Sequence, residues 1–488
     1  MARVLVINAP FIKDFCRTQR WPSRTRARVL RPPEWLAYVT AVLENKSIDV
    51  RLYDFPANDW DKNKLGDIVR EKRPDFVVFD STTPSIYSDI DCCGIVKRVS
   101  NARTIMVGPH VSVFPYETLQ LAEGSLDVVC IGEYDYTVYD VINNWRDLRK
   151  IKGIAYFDNG KFYKTEPREF IEDLDNLPFP AWKHLNLWRY YAGMRLYPFM
   201  NIIGGRGCPF RCTFCLWPQV MHGHKYRLRS AKNIVDEIEY DIKLFPPVKR
   251  GEIFFEDDTF TANKEHVYSI CEEILRRNLK ITWSVNARVD LIDMELFRLM
   301  KRAGCRALWL GIESGVQEVL ANMKKGIKID QIRHFVELSK KAGLHPHGCF
   351  VLGMPGETKE TMQKTIDFAM ELKLPSLQFS AAVPYPGTEY FKYCEEQNLL
   401  RAKQWSDWLE DGEQSSVVDY PGLSRGEINR AVDFALKKHY FRPTYMINFL
   451  LRTRSIYDLY RKLKGFKNFV SYLYFKKRVQ TERYPSNK

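Results

Sequence analysis

The chain has 488 residues, 45% hydrophobic and 14% aromatic, with 74 lysines and arginines against 60 acids and a formal charge of +14. That length is too great for one ordinary core and suggests two or three domains. No secretory leader and no run of about 18 apolar residues can be read in the sequence, which argues against export and membrane spans. Together with eleven cysteines, this gives a reducing, cytoplasmic setting as the expectation.

Residues 1–148 alternate apolar strands (Val4–Ile7, Asp49–Tyr53, Phe76–Phe79, Thr104–Val107, Val128–Ile131) with helical patterns near Glu34–Glu44, Lys64–Lys72, Ile86–Val99 and Tyr116–Ala122. Strands buried on both faces and separated by helices predict a doubly wound parallel sheet, whose ligand lies at the carboxyl ends of the strands. Ser81, Thr82, Gly108, His110, Gly132 and Glu133 fall in those loops. No G-x-G-x-x-G follows the first strand, which disfavours a dinucleotide. Residues 149–194 read as a linker with a hairpin around Asn159-Gly160. A second α/β series occupies residues 195–400. Its strands, from Met200–Ile203 through Glu252–Phe255, Ile281–Val285, Ala307–Gly311 and Gly348–Leu352 to Leu377–Ala381, fit a partial (β/α)6 barrel. Ser230 is placed to cap a helix whose Ile234, Ile238 and Ile242 form one buried stripe. Residues 401–488 form an aromatic, basic, mainly helical extension, in which Phe434 to Arg478 carries twelve basic residues and one acid.

The most informative feature is Gly207-Cys208-Pro209-Phe210-Arg211-Cys212-Thr213-Phe214-Cys215. Three thiolates on one short loop after the first barrel strand can hold three irons of a 4Fe–4S cube and leave the fourth without a protein ligand. A zinc site completed by His222 or His224 is the alternative, although structural zinc usually shows paired C-x-x-C spacings. The remaining cysteines fall in helix or strand patterns or stand alone, and behave as small apolar residues. Asp257 and Asp258 follow the second barrel strand, Asn286 and Arg288 the third, and Glu313 the fourth. Asp257 and Asp258 can accept hydrogen bonds from an ammonium group, and Glu313 can take a pair of hydroxyls. Capping the next helix is the ordinary alternative.

The C-x-x-x-C-x-x-C triplet, with these polar residues after consecutive strands, resembles the signature of the radical S-adenosylmethionine superfamily. The resemblance implies that Cys208, Cys212 and Cys215 ligate a 4Fe–4S cluster, and that Phe214, Asp257, Asp258, Asn286, Arg288 and Glu313 surround S-adenosylmethionine. It also implies an external one-electron donor of flavodoxin or ferredoxin type and a 5′-deoxyadenosyl radical. The first domain is similar to the cobalamin-binding domain of one large subgroup, which implies cobalamin near Ser81, Thr82, Gly108, His110, Gly132 and Glu133. The D-x-H-x-x-G motif of mutase-type domains is absent, so His110 need not ligate cobalt.

Cys215-Leu216-Trp217-Pro218-Gln219 and His224 to Ser230 most resemble the hopanoid-biosynthesis-associated members. With the basic aromatic tail, this favours methylation or rearrangement of a lipid or lipid-linked substrate. Ring closure on a tetrapyrrole is a rival chemistry, and a non-catalytic cobalamin or cluster sensor a rival of another class. Residues 434–478 fit peripheral contact with an anionic membrane at its inner face. The absence of an RNA-binding motif disfavours nucleic acid.

Overall fold

The structure is a computed structural model and describes all residues except 1, 18–21, 291–292, 411, 444, 447–452, 454–455 and 484–488. The first sheet contains β1 (Arg3–Asn8), β2 (Asp49–Asp54), β3 (Phe76–Asp80), β4 (Arg103–Val107), β5 (Val128–Cys130), β6 (Ile154–Asp158) and β7 (Lys161–Lys164) in the order 2-1-3-4-5-6-7. Strands β1 to β5 pair in parallel. The hairpin β6–β7 adds antiparallel to β5, so the segment read as a linker extends the sheet. Its turn residues Asn159 and Gly160 have φ of 50° and 77°, the backbone that an Asn-Gly turn favours.

The second sheet contains β8 (Phe199–Ile202), β11 (Glu252–Phe255), β12 (Trp283–Ala287), β13 (Cys305–Glu313), β14 (His345–Leu352) and β15 (Ser376–Ala381). All are parallel and neighbours in chain order. A short ribbon of β9 (Gly205–Arg206) and β10 (Arg227–Leu228) brackets the cysteine loop. Strand β12 starts two residues later than its apolar run suggests, where Trp283 donates from Nε1 to Ala303 O at 2.8 Å. Asn286 therefore lies within the strand. Ser230 accepts from Asn233 N at 3.1 Å and caps the helix Ala231–Leu244, whose Ile234, Ile238 and Ile242 are buried.

Alternation along the barrel strands sorts their side chains. Met200, Ile202, Ile253, Phe255, Val285, Leu308, Leu310, Phe350, Leu377 and Phe379 join the main apolar core. The alternate residues Asn201, Phe254, Trp309 and His347 converge on the other face. The Arg195 guanidinium lies 3.5 Å from the Phe254 ring centre and donates to Asn201 Oδ1 at 2.7 Å. Trp309 and His347 are 4.1 Å apart. The barrel interior is thus polar and aromatic.

The helix Arg425–Tyr440 covers the open edge at β15, with Tyr440 Oη donating to Leu377 O. The last helix, Ile456–Arg483, docks through Tyr472, which bonds Asp433 at 2.9 Å, and through Asn468, which bonds Ala27 O. The early basic residues are used internally. Arg17 pairs with Asp89 in full burial, Arg26 with Asp433, Arg28 with Glu413 and Arg31 with Glu256. The side chain of Arg20 lies outside the described residues. Among those described, no helix is long and apolar enough to cross a membrane.

Candidate active site at the domain junction

The cysteine loop leaves β8 through the β9–β10 ribbon. Gly207 has φ of 87°, and a Cβ there would stand 2.2 Å from Lys225 O, so only glycine passes. Gln219 then clamps the loop from inside. Its Nε2 donates to the carbonyls of Cys212, Thr213 and Cys215 at 3.2, 3.2 and 2.8 Å, while its Oε1 accepts from Glu389 N at 2.9 Å. His224, considered above as a zinc ligand, instead meets Cys208 O through Nδ1 at 3.1 Å. None of the three cysteines forms a disulfide. Cys208 is buried, and Cys212 and Cys215 are partly exposed. Among the described residues no three His, Cys, Asp or Glu side chains gather as a single ion would need. A cube takes each thiolate on a separate iron, and this loop fits that group.

The strand-end residues surround the loop. Asp257 accepts from Gly204 N at 2.9 Å and from Tyr226 Oη at 3.1 Å. Asn286 donates to Asp257 O at 3.0 Å. Asp258 lies 3.7 Å from His222 Nδ1. Arg288 pairs with Asp290 at 2.8 Å, donates to Lys325 O at 2.8 Å and stacks 3.5 Å over Phe210. Glu313 sits at a register shift between β13 and β14 with φ of 65°, an uncommon backbone for a non-glycine residue. Its carboxylate accepts from Lys325 Nζ at 2.7 Å. Glu313 and the nearby Cys212 hold the Lys325 ammonium above its ordinary value against burial. Phe214 is buried in an apolar cluster with Val319, Met323 and Met354. The barrel therefore brings all six expected residues to its carboxyl end.

Burial pushes the Asp257 carboxyl up to about 7, despite its hydrogen bonds. An acid raised on folding stays protonated in the fold while the unfolded chain ionises, so stability is lost as pH rises from about 4 through 7. Asp257→Asn is expected to raise the melting temperature at pH 8 and to leave it nearly unchanged at pH 4.5. Thermal denaturation at the two pH values checks this.

On the first domain, Ser81 donates to Val107 O at 3.0 Å, and Thr82 forms a capping box with Ser85. Gly108 has φ of 109°, and a Cβ there would meet Ser81 O at 2.4 Å. Gly132 donates to Ser112 Oγ at 3.0 Å and leaves open space where a side chain would be. His110 is enclosed by Phe114 and Trp405 and meets Thr83 Oγ1 at 3.2 Å; burial lowers it to about 3, so it stays neutral. The structure gives Glu133 other partners than those expected. It accepts from Arg206 and Arg227 of the ribbon, both at 2.8 Å. Burial pushes its carboxyl up, but Arg206, His222 and Arg227 outweigh that and hold it at about 2. Glu133 ties the two domains together.

Pattern reading missed the residues that close this junction. Trp35 of the first domain lies 5.4 Å from Trp217 and 4.5 Å from His222, and Trp217 stacks on His222 at 5.3 Å. Arg206 lies over both Trp35 and Tyr38 at 5.1 Å. The sequence signal for them is slight: Trp217 and His222 stand close behind the last cysteine. The strand ends of the first domain thus face the segment that follows the cysteines, and Ser112 meets Met221 there. Polar loops with an open glycine, aimed at the barrel mouth, fit a corrinoid held between the domains.

Two family models match the chain: the radical SAM superfamily over residues 202–369 and the B12 binding domain over residues 25–142. An uncharacterized methyltransferase of Pyrococcus horikoshii is 32% identical over 426 residues, covering 85% of this chain and 89% of that protein. The anaerobic magnesium-protoporphyrin IX monomethyl ester cyclase of Cereibacter sphaeroides is 29% identical over 88% of this chain and 73% of its own. The hopanoid C-3 methylase of Methylococcus capsulatus is 25% identical over 78% and 72%. A radical S-adenosylmethionine methyltransferase from Kitasatospora setae, solved with cobalamin and a [4Fe–4S] cluster, shares the fold with a TM-score of 0.70 at 17% identity, over 96% of this chain and 100% of that one. The chain belongs to the radical SAM superfamily, in the subgroup with an amino-terminal cobalamin-binding domain, and is an enzyme that works with a 4Fe–4S cluster, S-adenosylmethionine and cobalamin.

Proposed function

We propose that this enzyme methylates an unactivated carbon of an amphiphilic substrate whose polar end enters the barrel. The observation that carries the reading is the junction itself: the cysteine loop and the strand ends of the first domain meet around Trp35, Trp217 and His222. Cys208, Cys212 and Cys215 would hold the cluster. Asp257, Asp258, Asn286, Arg288 and Glu313, with the Phe214 backbone, would orient S-adenosylmethionine. Ser81, Thr82, Gly108 and Gly132 would line the corrinoid, with His110 kept neutral behind them. When bound, these groups supply the radical and the methyl group. The chain's own part is to bind, orient and exclude water. The methyltransferase relatives support methyl transfer, and the cyclase relative supports ring closure as the second reading.

Anaerobic reconstitution with S-adenosylmethionine and a one-electron reductant tests this. Methyl transfer is expected to yield 5′-deoxyadenosine and S-adenosylhomocysteine together, whereas ring closure would yield no S-adenosylhomocysteine. A full cluster that forms neither 5′-deoxyadenosine nor S-adenosylhomocysteine would overturn the methyl-transfer reading.

The polar barrel interior favours a polar reacting end, and the last helix supports an apolar remainder. Ile456, Tyr460, Leu463, Phe466 and Val470 recur every three or four residues on one face and are 73%, 52%, 58%, 48% and 39% exposed. Lys467 lies among them, and the opposite face is the docked one. The earlier apolar run Ile447–Leu451 lies outside the described residues, as do the side chains of Tyr474 to Arg478. An apolar stripe on a strongly basic segment suits anionic lipid. The triple substitution Tyr460→Glu, Leu463→Glu and Val470→Glu is expected to abolish co-sedimentation with phosphatidylglycerol vesicles at low salt. Undiminished binding would remove the membrane role.

A further inference from the structure

We infer that Gln219 is a positioning residue for the cluster: its side-chain amide holds the cysteine loop in the shape the cluster needs and tunes the cluster's reduction potential. The inference rests on the reading above, in which Cys208, Cys212 and Cys215 carry the cluster. The orientation of this amide is fixed by its neighbours. Glu389 N can only donate, so the atom that faces it at 2.9 Å is Oε1. The carbonyls of Cys212, Thr213 and Cys215 can only accept, so Nε2 faces them, at 3.2, 3.2 and 2.8 Å. One amide thus gathers three carbonyls of the loop. A bond to the residue four back is what an ordinary helical turn offers, but Cys212 and Thr213 are seven and six residues back.

The clamp also decides what the loop presents elsewhere. In a trans peptide the carbonyl and the next amide point in opposite directions. Drawing the carbonyls of Thr213 and Cys215 toward Gln219 therefore turns the amides of Phe214 and Leu216 away from it. The thiols look to the barrel mouth. Cys208 Sγ lies 3.4 Å from Thr259 Oγ1, and Cys212 is near enough to Lys325 to act on its ammonium. An iron–sulfur cluster on these thiolates is anionic and gains a further negative charge on reduction. Amides turned toward it favour the reduced form, and carbonyls turned toward it oppose that form. Gln219 acts through the backbone that carries the thiolates.

The anchor of the clamp is distant in sequence. Glu389 begins the helix Glu389–Glu396, which follows β15, and the next residue, Tyr390, donates from N to Thr213 O at 3.0 Å. Thr213 N in turn donates to Met323 O at 3.0 Å. Strands β8 and β15 are the two edges of the barrel sheet. Gln219 therefore links the segments that follow the first and last barrel strands, and the loop takes its shape from both. Water can satisfy the three carbonyls, but it cannot hold them at one point.

Two substitutions in the anaerobically reconstituted full chain test this. Gln219→Glu keeps the shape but replaces the amide nitrogen with an oxygen, and Gln219→Met keeps the bulk and removes the polar atoms. The readouts are the rate of iron loss to a chelator, the midpoint potential from a dye-mediated titration followed by electron paramagnetic resonance, and the melting temperature. In both variants iron is expected to leave about ten- to a hundredfold faster, as for the loss of one or two hydrogen bonds. The midpoint is expected to fall, while the melting temperature stays near that of the wild type. Iron loss and midpoint both unchanged, in protein with a full cluster, overturn the inference and leave the ligand reading standing. Faster iron loss with an unchanged midpoint and a matching fall in melting temperature makes Gln219 a packing residue, and overturns it too. If the wild type holds no more iron than Cys212→Ala reconstituted beside it, the ligand reading itself falls and the inference falls with it.

Discussion

Cys212→Ala is expected to reduce cluster iron to background and to abolish 5′-deoxyadenosine formation while leaving the fold intact. In the proposed reading three thiolates on one loop are the whole protein contribution to the cluster, and among the described residues no other group of His, Cys, Asp or Glu gathers to replace one. Cys212 is only partly buried, and what Gln219 and Met323 bond near it is backbone, through Cys212 O and Thr213 N, so alanine leaves that scaffold in place. The comparison variant is Cys271→Ala. Cys271 is fully buried in the main core beside Ile270 and Ile274, and burial pushes its thiol up to about 12. It acts there as a small apolar residue. Its replacement is expected to cost about 0.5–3 kcal/mol of stability and to leave iron content unchanged. Iron and sulfide per chain, far-UV circular dichroism and 5′-deoxyadenosine measured on both variants separate a ligand from a packing residue. Iron retained at the wild-type level in Cys212→Ala would overturn the ligand assignment.

What could be read in the sequence was whatever local pattern controls. The parallel strands announce themselves because both faces are buried, and the cysteine loop because its ligands are close in sequence. Asp257, Asn286 and Glu313 are legible as neighbours because a parallel barrel puts strand ends together whatever the helices between them are. Gln219 and Arg206 are not legible that way. Gln219 looks like an ordinary polar residue in a short turn, and its role depends on Glu389, which is far away in the chain. Glu133 sits in a loop typical of ligand contact, yet its partners are arginines more than seventy residues on. The hairpin β6–β7 was recognisable as a hairpin, but its pairing with β5 is a long-range choice that no local signal specifies.

Arg206→Met is expected to open the domain junction. Arg206 is almost fully buried; it donates from Nη1 to Glu133 at 2.8 Å and to Asp135 at 2.6 Å, and from Nη2 to Asp135 at 3.1 Å. Its flat guanidinium also lies against Trp35 and Tyr38 of the first domain. Burial acts against its charge, but Asp135 and Glu133 outweigh that and raise its pKa further. Removing one partner of a buried pair leaves the other charge uncompensated, at a cost of about 3–5 kcal/mol. Here two carboxylates lose a partner, although Glu133 keeps Arg227. Arg206→Lys restores the charge without the fork that bonds both acids, so it should recover only part of the loss. The sign of the pH dependence follows from Glu133, whose carboxyl is held at about 2. A depressed acid contributes stability above its ordinary pKa and loses it as pH falls toward 2. The deficit of Arg206→Met should therefore be full at pH 7 and shrink as pH falls from about 4.5 toward 2, as the stranded Glu133 carboxylate takes up a proton. Thermal melting across that range, with corrinoid per chain measured at pH 7, checks both halves of the argument. Because Glu133 follows the same strand end that presents Gly132 to the barrel, corrinoid retention is expected to fall together with the junction. Melting unchanged at pH 7 would show that the two domains are held together elsewhere.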